Sequence, residues 1–357
     1  MMDSLTLCAG DPEIDATTDP VIDAGIDPVT GFRVPPSWIE ICQDPQAREK
    51  IRSGRWVLLS TGLLLRRGLT TGTTAAAAAK GAVLSLRGPV KSVDVATPAG
   101  LRVTMPVIAD AGFCVAIKDA GDHEFDVTKG VEIMAFAIPS TQVELVAGKG
   151  VGRITAPGLC ADLGKPAIGR SARMQIFKAI QEGLEDACLD GVRVELIVPK
   201  GNTLAEKTLN PKLGIVGGIS ILGSTGFVEP WNEHLAESRE DEMRMAKRLV
   251  VTTGRTGLKF SRILFPDHFA VLIGSHFDLL KFEDHQESIL CGLPALILKW
   301  AWPEVLEGTG CRTVAELVEK EPEHRNITTA LEKAKRRLPR TRIVLLRKDG
   351  SIFMDVA

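Results

Sequence analysis

The run Thr70-Thr71-Gly72-Thr73-Thr74 followed by Ala75 to Ala79, Lys80, Gly81 and Ala82 narrows the fold more than any other stretch of the 357 residues. Alanine has the highest intrinsic helix propensity and threonine is a competent N-cap, so the segment predicts a loop delivering a helix that starts at Thr73. A helix faced with methyl groups and glycine must be approached closely by its neighbours to be packed at all. Its start offers backbone N–H groups, an arrangement that binds anions, and Gly68 and Gly72 let a ligand approach the backbone. Arg66 and Arg67 stand just ahead with guanidinium groups suited to carboxylate or phosphate. The Gly-Lys-Ser/Thr order of a Walker loop is missing. On these residues alone, an anion site and an ordinary capped helix are equal readings.

A second segment is as unusual. Between Leu213 and Gly226 five glycines alternate with Ile, Val and Leu rather than with solvating residues. Apolar residues demand burial while glycine permits positive φ or close backbone contact, so a buried backbone lining a flat or bulky ligand fits, with a glycine-weakened strand at a domain junction as the plainer reading. Gly148 to Arg153 follows a strand but leads to Pro157 and Gly158 rather than a helix, so it reads as a bulge or tight turn, not a dinucleotide fingerprint. Lys118 to Gly130 gathers Asp119, Asp122 and Asp126, which could act as a base, bind a cation or hold a ribose diol, or simply form Asx turns. Thr252 to Gly257 and the pair Ser275-His276 end strand signals of a parallel sheet, where open α/β sheets bind ligands.

The remaining sequence sets the architecture. Hairpin signals at Val90 to Thr97 and Leu101 to Pro106, further strands and a helix at Arg173 to Leu189, with Met174, Phe177, Ile180, Leu184 and Ala187 inward, predict a mixed-sheet α+β domain over 61–230. Alternating helices and short apolar strands predict a smaller doubly wound α/β domain over 231–357. Its expected elements include helices Leu235 to Leu249 and Glu283 to Cys291, a strand Ala295 to Lys299, and a closing hairpin at Lys348-Asp349-Gly350. Residues 1–60 read as an acidic arm with Asp-Pro at 11, 19 and 27, followed by a helix capped by Ser37 and continuing toward Ile51. The first thirty residues carry seven acids and no base, and no apolar run reaches membrane length. A net charge of −2 gives no global attraction for nucleic acid or anionic lipid, and the seven cysteines form no Cys-x-x-Cys pair. A soluble cytoplasmic protein with reduced thiols and no metal site of its own is expected. The basic cluster Lys333 to Arg342 reads as a solvated face.

Taken in order, RRGLTTGTTAAAAAKGA, KDAGDHEFDVTKG, GKGVGRITAPG, KTLNPKLGIVGGISILGSTGFVEP and TTGRTG resemble the successive motifs of the CbiD family over about residues 61–275. The resemblance implies a cobalt-precorrin-5B C1-methyltransferase of anaerobic cobalamin biosynthesis, with S-adenosylmethionine as donor, cobalt-precorrin-6A as product, and cobalt carried only within the substrate. It implies Asp119, Asp122 and His276 as catalytic candidates, and Asp126, Gly217, Gly218, Ser220, Gly223 and Thr225 at the donor. Arg66, Arg67, Thr71, Gly72, Thr73, Thr74 and Arg255 would meet the substrate carboxylates, and neighbouring pathway enzymes would be transient partners. The family usually has Cys where Thr74 stands, and its pattern fades beyond about residue 280. A non-catalytic tetrapyrrole carrier and a nucleotide-dependent kinase using the Thr73 helix start are the competing readings.

Overall fold

The computed structural model describes residues 25–123, 126–156, 163–231, 246–274, 277 and 287–357. The alanine segment forms the helix Thr71–Ser85, buried along its whole length except Leu84. Thr70 caps it, its hydroxyl accepting the Thr73 N–H at 3.2 Å, so the helix begins two residues before the expected start. A six-stranded sheet covers one side, ordered Val90–Ala96, Arg102–Asp110, Phe113–Ile117, Glu132–Pro139, Val192–Ile197 and Glu144–Ala147. Every adjacent pair is antiparallel except the last.

The helix Arg170–Ala187 lies against the other side. Small residues set this distance: a methyl on Gly81 would stand 2.5 Å from Cys114 Sγ, and one on Gly183 3.2 Å from Val83 Cβ. The same demand corrects the expected inward stripe of the second helix. Met174 is exposed and Phe177 half-buried, while Ala172, Ile176, Ala179, Ile180, Gly183, Leu184 and Ala187 are buried. An alanine-faced partner admits alanine and glycine at the contact, not methionine.

The second sheet runs Phe269–Leu272, Arg248–Thr252, Glu287–Gly292, Arg342–Leu346 and Ile352–Val356. It is parallel apart from the final hairpin strand. The helix Arg255–Leu264 packs on one face, and Pro294–Ala301, Val314–Lys320 and Arg325–Arg337 on the other. An α+β part is thus followed by a doubly wound α/β part, as the sequence predicts. Two assignments inside it are reversed: 287–292 is strand and 294–301 helix. Pro294 occupies the first helical turn, where its fixed φ and missing N–H favour a helix start. Most of the helix expected at 235–249 lies outside the described residues, and Arg248 and Leu249 are strand.

Residues 25–59 are not a solvated arm. Phe32, Val34, Ile51, Val57, Leu58 and Leu59 share a core with Val250, Phe260, Ile289 and Val344 of the second sheet and its helix. The expected single helix is two, Pro36–Ile41 and Ala47–Arg52, the first entered from Pro35 without a side-chain cap. Asp44-Pro45 separates them, because proline disfavours helical backbone in the residue before it. The basic cluster is less free than a solvated face: Lys333 lies 4.0 Å over the Trp302 ring, and Arg337 donates to the Trp300 carbonyl at 2.6 Å.

Candidate functional site

Three segments that are distant in sequence meet at one cavity of about 560 Å³, within the size range of small-molecule sites. Thr70 and Thr71 come from the helix start, and Lys118, His123, Asp126 and Thr128 from the acidic loop. Thr208 and Asn210 precede the glycine-rich segment, which contributes Ile219, Ser220, Leu222 and Gly223. Val127, Phe227 and Val228 complete the apolar part of the wall.

Asp126 is the charged centre of this wall. One carboxylate oxygen accepts the Thr128 amide at 2.8 Å and hydroxyl at 2.6 Å, an Asx turn that fixes the side chain, and the other accepts the buried Lys118 ammonium. Burial works to raise the Asp126 pKa, but Lys118 and the Thr128 hydrogen bonds outweigh it and lower it, keeping the carboxylate ionised. Asn210 is fixed in the wall, accepting the Ser220 hydroxyl at 3.2 Å and donating to the Gly218 carbonyl at 3.4 Å.

The other two acids do different work. Asp119 accepts from Arg66, from Arg55 at 2.5 Å and from the Gly121 amide at 2.9 Å. Burial opposes its charge, yet the Arg66, Gly121 and Arg55 contacts push its pKa down to about 2. Asp119 is therefore an anchor for arginine rather than a base. Asp122 is exposed and accepts the Arg66 amide at 2.6 Å. Neither lines the cavity. His276 lies outside the described residues.

Arg67 corrects a further expectation. Its side chain is 0% exposed, donating to both oxygens of Asp27 at 3.0 and 2.6 Å and to Glu229 at 3.0 Å. Burial would lower its pKa, but the Glu229 and Asp27 carboxylates raise it above the ordinary value. It ties Asp27, read in sequence as part of a linker, to Glu229 just past the short strand Phe227–Val228, and it has no surface for substrate. Arg66 keeps a side chain 35% exposed, shared with Asp119.

The helix start is closed. The Gly72 N–H donates to Leu222 O at 2.9 Å, the Thr73 hydroxyl to Gly226 O at 2.8 Å and the Thr74 hydroxyl to Thr70 O at 3.0 Å. Thr73 and Thr74 are wholly buried, and only Thr71 of the expected anion-binding set reaches the cavity. This removes the phosphate site on which a kinase reading depends. The glycines serve the same closure: a methyl on Gly223 would stand 2.3 Å from Thr70 Oγ1, and one on Gly218 2.1 Å from Gly150 O. Gly218 and Gly150 pair as neighbouring parallel strands, so the Gly148–Arg153 segment is strand and close contact rather than a turn alone. Gly217 faces open space, whereas Thr225 is engaged with the Phe227 backbone. Arg255 is exposed in the first turn of Arg255–Leu264, off the cavity wall.

Lys118, His123, Thr128 and Asn210 line the cavity without having been singled out. Lys118 and Asp126 bracket one loop, and a lysine eight positions before an aspartate with a Thr two positions on was the readable sign. Among the described residues, no three His, Cys, Asp or Glu side chains cluster to hold a metal ion, and no helix is long and apolar enough to cross a membrane.

Comparison with known proteins bears on the same segments. The CbiD family model matches residues 60–230. A cobalt-precorrin-5B C(1)-methyltransferase of Methanosarcina acetivorans is 45% identical over 327 residues, covering 91% of this chain and 96% of the relative. The protein of the same name from Methanococcoides burtonii is 45% identical over 325 residues, 90% of this chain and 96% of its own. A 1.9 Å crystal structure of a cobalamin biosynthesis protein (cbiD) from Archaeoglobus fulgidus superposes with a TM-score of 0.53 at 40% identity, covering 77% of this chain and 92% of that one. An alignment of 327 residues cannot fit within the first 280, so the likeness extends past the point where the motifs fade.

Proposed function

The chain belongs to the CbiD family, and from that premise we propose that it transfers a methyl group from S-adenosylmethionine to C1 of cobalt-precorrin-5B, giving cobalt-precorrin-6A and S-adenosylhomocysteine. The observation that carries the reading is the Asp126 cavity: an ionised carboxylate, a glycine-shaped backbone and an aliphatic wall at one place. S-adenosylmethionine supplies an activated methyl on a sulfonium cation. Asp126 stabilises that cation, while Ile219, Leu222 and Val228 offer apolar surface for the adenine, and Asn210 and Ser220 fix the edge that carries hydrogen bonds. Gly217 and Gly223 let the ligand lie against the backbone.

Methyl transfer is an in-line displacement, so alignment supplies most of the acceleration and no enzyme nucleophile is needed. Thr71 meets a carboxylate of the tetrapyrrole in the cavity, and Arg66, still partly exposed beside Asp119, meets another outside the cavity wall. His123, which lines the cavity, takes the proton-handling part that Asp119 cannot perform. The protein works in the cytoplasm on a small-molecule substrate, with transient contacts to neighbouring pathway enzymes.

The test is incubation of the full chain with cobalt-precorrin-5B and donor bearing a labelled methyl group. Label in the tetrapyrrole, matched one to one by S-adenosylhomocysteine, is expected. Tetrapyrrole binding without label transfer would instead establish a carrier. Asp126→Asn should weaken donor binding by about tenfold or more, since a charge-assisted contact is lost; unchanged affinity would take Asp126 out of the donor site.

A further inference from the structure

The six-stranded sheet buries one face on the helix Thr71–Ser85, and its other face departs from the pattern of a solvated sheet. An antiparallel sheet with one side in water alternates apolar residues inward with polar residues outward. On the strands Arg102–Asp110, Phe113–Ile117 and Glu132–Pro139 the outward positions near the middle of the sheet are apolar as well. Ile108 is 75% exposed and Ile117 and Phe136 are exposed with it, while Phe113, Val115 and Met134 are half-buried. The register sets these side chains in rows across the strands: Ile108, Val115 and Met134 in one, and Phe113 and Phe136, with ring centroids 4.8 Å apart, in the next.

The size and pattern of this face fit a second copy of the chain. At about 4.8 Å between strands and about 3.4 Å per residue, six strands of about six residues span roughly 600 Å² in projection. Side-chain relief brings that near the roughly 800 Å² per partner of a standard interface. A two-fold axis along Phe113–Ile117 lays two such sheets face to face with their strands aligned within about 30°, the usual sandwich geometry. It returns each row upon itself, so Phe113, Val115 and Ile117 meet their own counterparts and Ile108 of one copy meets Met134 of the other. Asp110 then lies opposite Phe136, and Glu132, level with Ile117, lies opposite Pro106, so neither of these bordering acids faces an acid. An anionic lipid surface fits this face less well, because Asp110, Glu132 and Glu195 stand around the apolar rows.

We propose that the outer face of this sheet joins two copies of the chain in a two-fold dimer, with Phe113–Ile117 on the axis and Ile108 of each copy packed on Met134 of the other. Such an interface uses the same patch on both subunits and closes on itself, so it makes a dimer and not a fibre. The proposal concerns assembly and does not depend on methyl transfer.

Sedimentation velocity of the full chain, with no donor or tetrapyrrole present, should show a monomer–dimer equilibrium with a dissociation constant of about 1 µM or tighter. Ile108→Glu and Met134→Lys should each weaken it about thirtyfold or more, as the loss of a central apolar contact does. The double variant, whose opposite charges would face each other twice across the axis, should bind at least about tenfold tighter than either single variant. Far-UV circular dichroism matching the parent protein checks that each variant is folded; if one is not, Ile108→Ser takes its place, with an expected loss of about tenfold. A chain that stays monomeric up to about 100 µM, whether or not it floats with vesicles of phosphatidylcholine and phosphatidylglycerol, overturns the proposal. A dimer indifferent to the single variants, or a double variant no tighter than they are, overturns it too.

Discussion

Thr-Thr-Gly occurs twice before a helix, at Thr70-Thr71-Gly72 and at Thr252-Thr253-Gly254, and the two copies do opposite things. In the first, the leading threonine caps the helix and the glycine lies inside its first turn, pressed against Leu222 O and Ala172. In the second, the helix starts two residues later relative to the motif, the glycine is the cap, and the first-turn amides find no partner among the described residues. The difference comes from what lies opposite. Carbonyls of the glycine-rich segment reach the first copy, whereas among the described residues the second is engaged at Thr252, by the Val271 carbonyl and the Ile273 amide, and not at its helix start. A threonine-glycine helix start is thus closed only where another part of the chain completes it.

The largest test removes the support of the closed copy. Arg67→Ala leaves Asp27 buried and unpaired beneath the strand that leads into Thr70, and the expected loss is about 3–5 kcal/mol in denaturant unfolding. A loss under about 1 kcal/mol would mean the junction relaxes freely.

Matched isosteres then probe the two threonines. Thr70→Val deletes the cap and should cost about 1–2 kcal/mol. Thr253→Val removes a hydroxyl that has no hydrogen-bond partner among the described residues and should change stability by no more than about 0.5 kcal/mol. Equal costs would erase the contrast.

Next in size is Asp119, which braces Arg66 ahead of the closed start. Its folded-state pKa of about 2 lies below the ordinary 3.8, so its contribution is complete above about pH 4 and is lost as the pH falls toward 2. Asp119→Asn should therefore lower the unfolding free energy measured in urea at pH 7 by about 1 kcal/mol after solvent screening, and converge with the parent protein by pH 2. A gap that persists at pH 2 would assign the loss to packing instead. The smallest effect is Gly254→Ser, which gives the open start a side-chain cap and should raise stability by a few tenths of a kcal/mol.

What the sequence disclosed follows the range of the forces involved. The hairpin at Pro98-Ala99-Gly100, the alanine helix and the parallel sheet with its terminal hairpin rest on neighbours a few positions apart, and all were legible. The exchange of strand and helix at 287–301 arose because a short apolar run has no decisive period, and Pro294 was the overlooked cue. Asp27 and Arg67 lie forty positions apart, and nothing local in an acidic Asp-Pro repeat announces a buried partner. The cavity was half visible. Asp126, Thr71, Ser220 and Gly223 were in view as residue types, whereas Asp119 and Arg67 were drawn in by charge alone, which does not distinguish a group facing a ligand from one already neutralised inside the protein.

The closed helix start also orders events in time. Its hydrogen bonds reach Leu222 and Gly226, 151 and 153 positions further along the chain. During synthesis the alanine segment emerges early, with strong helical tendency but an unfinished first turn, and it stays unfinished until the glycine-rich segment has left the ribosome. Folding of the first sheet is in this way tied to completion of nearly two-thirds of the polypeptide, the slow and non-local closure expected of a topology with high contact order.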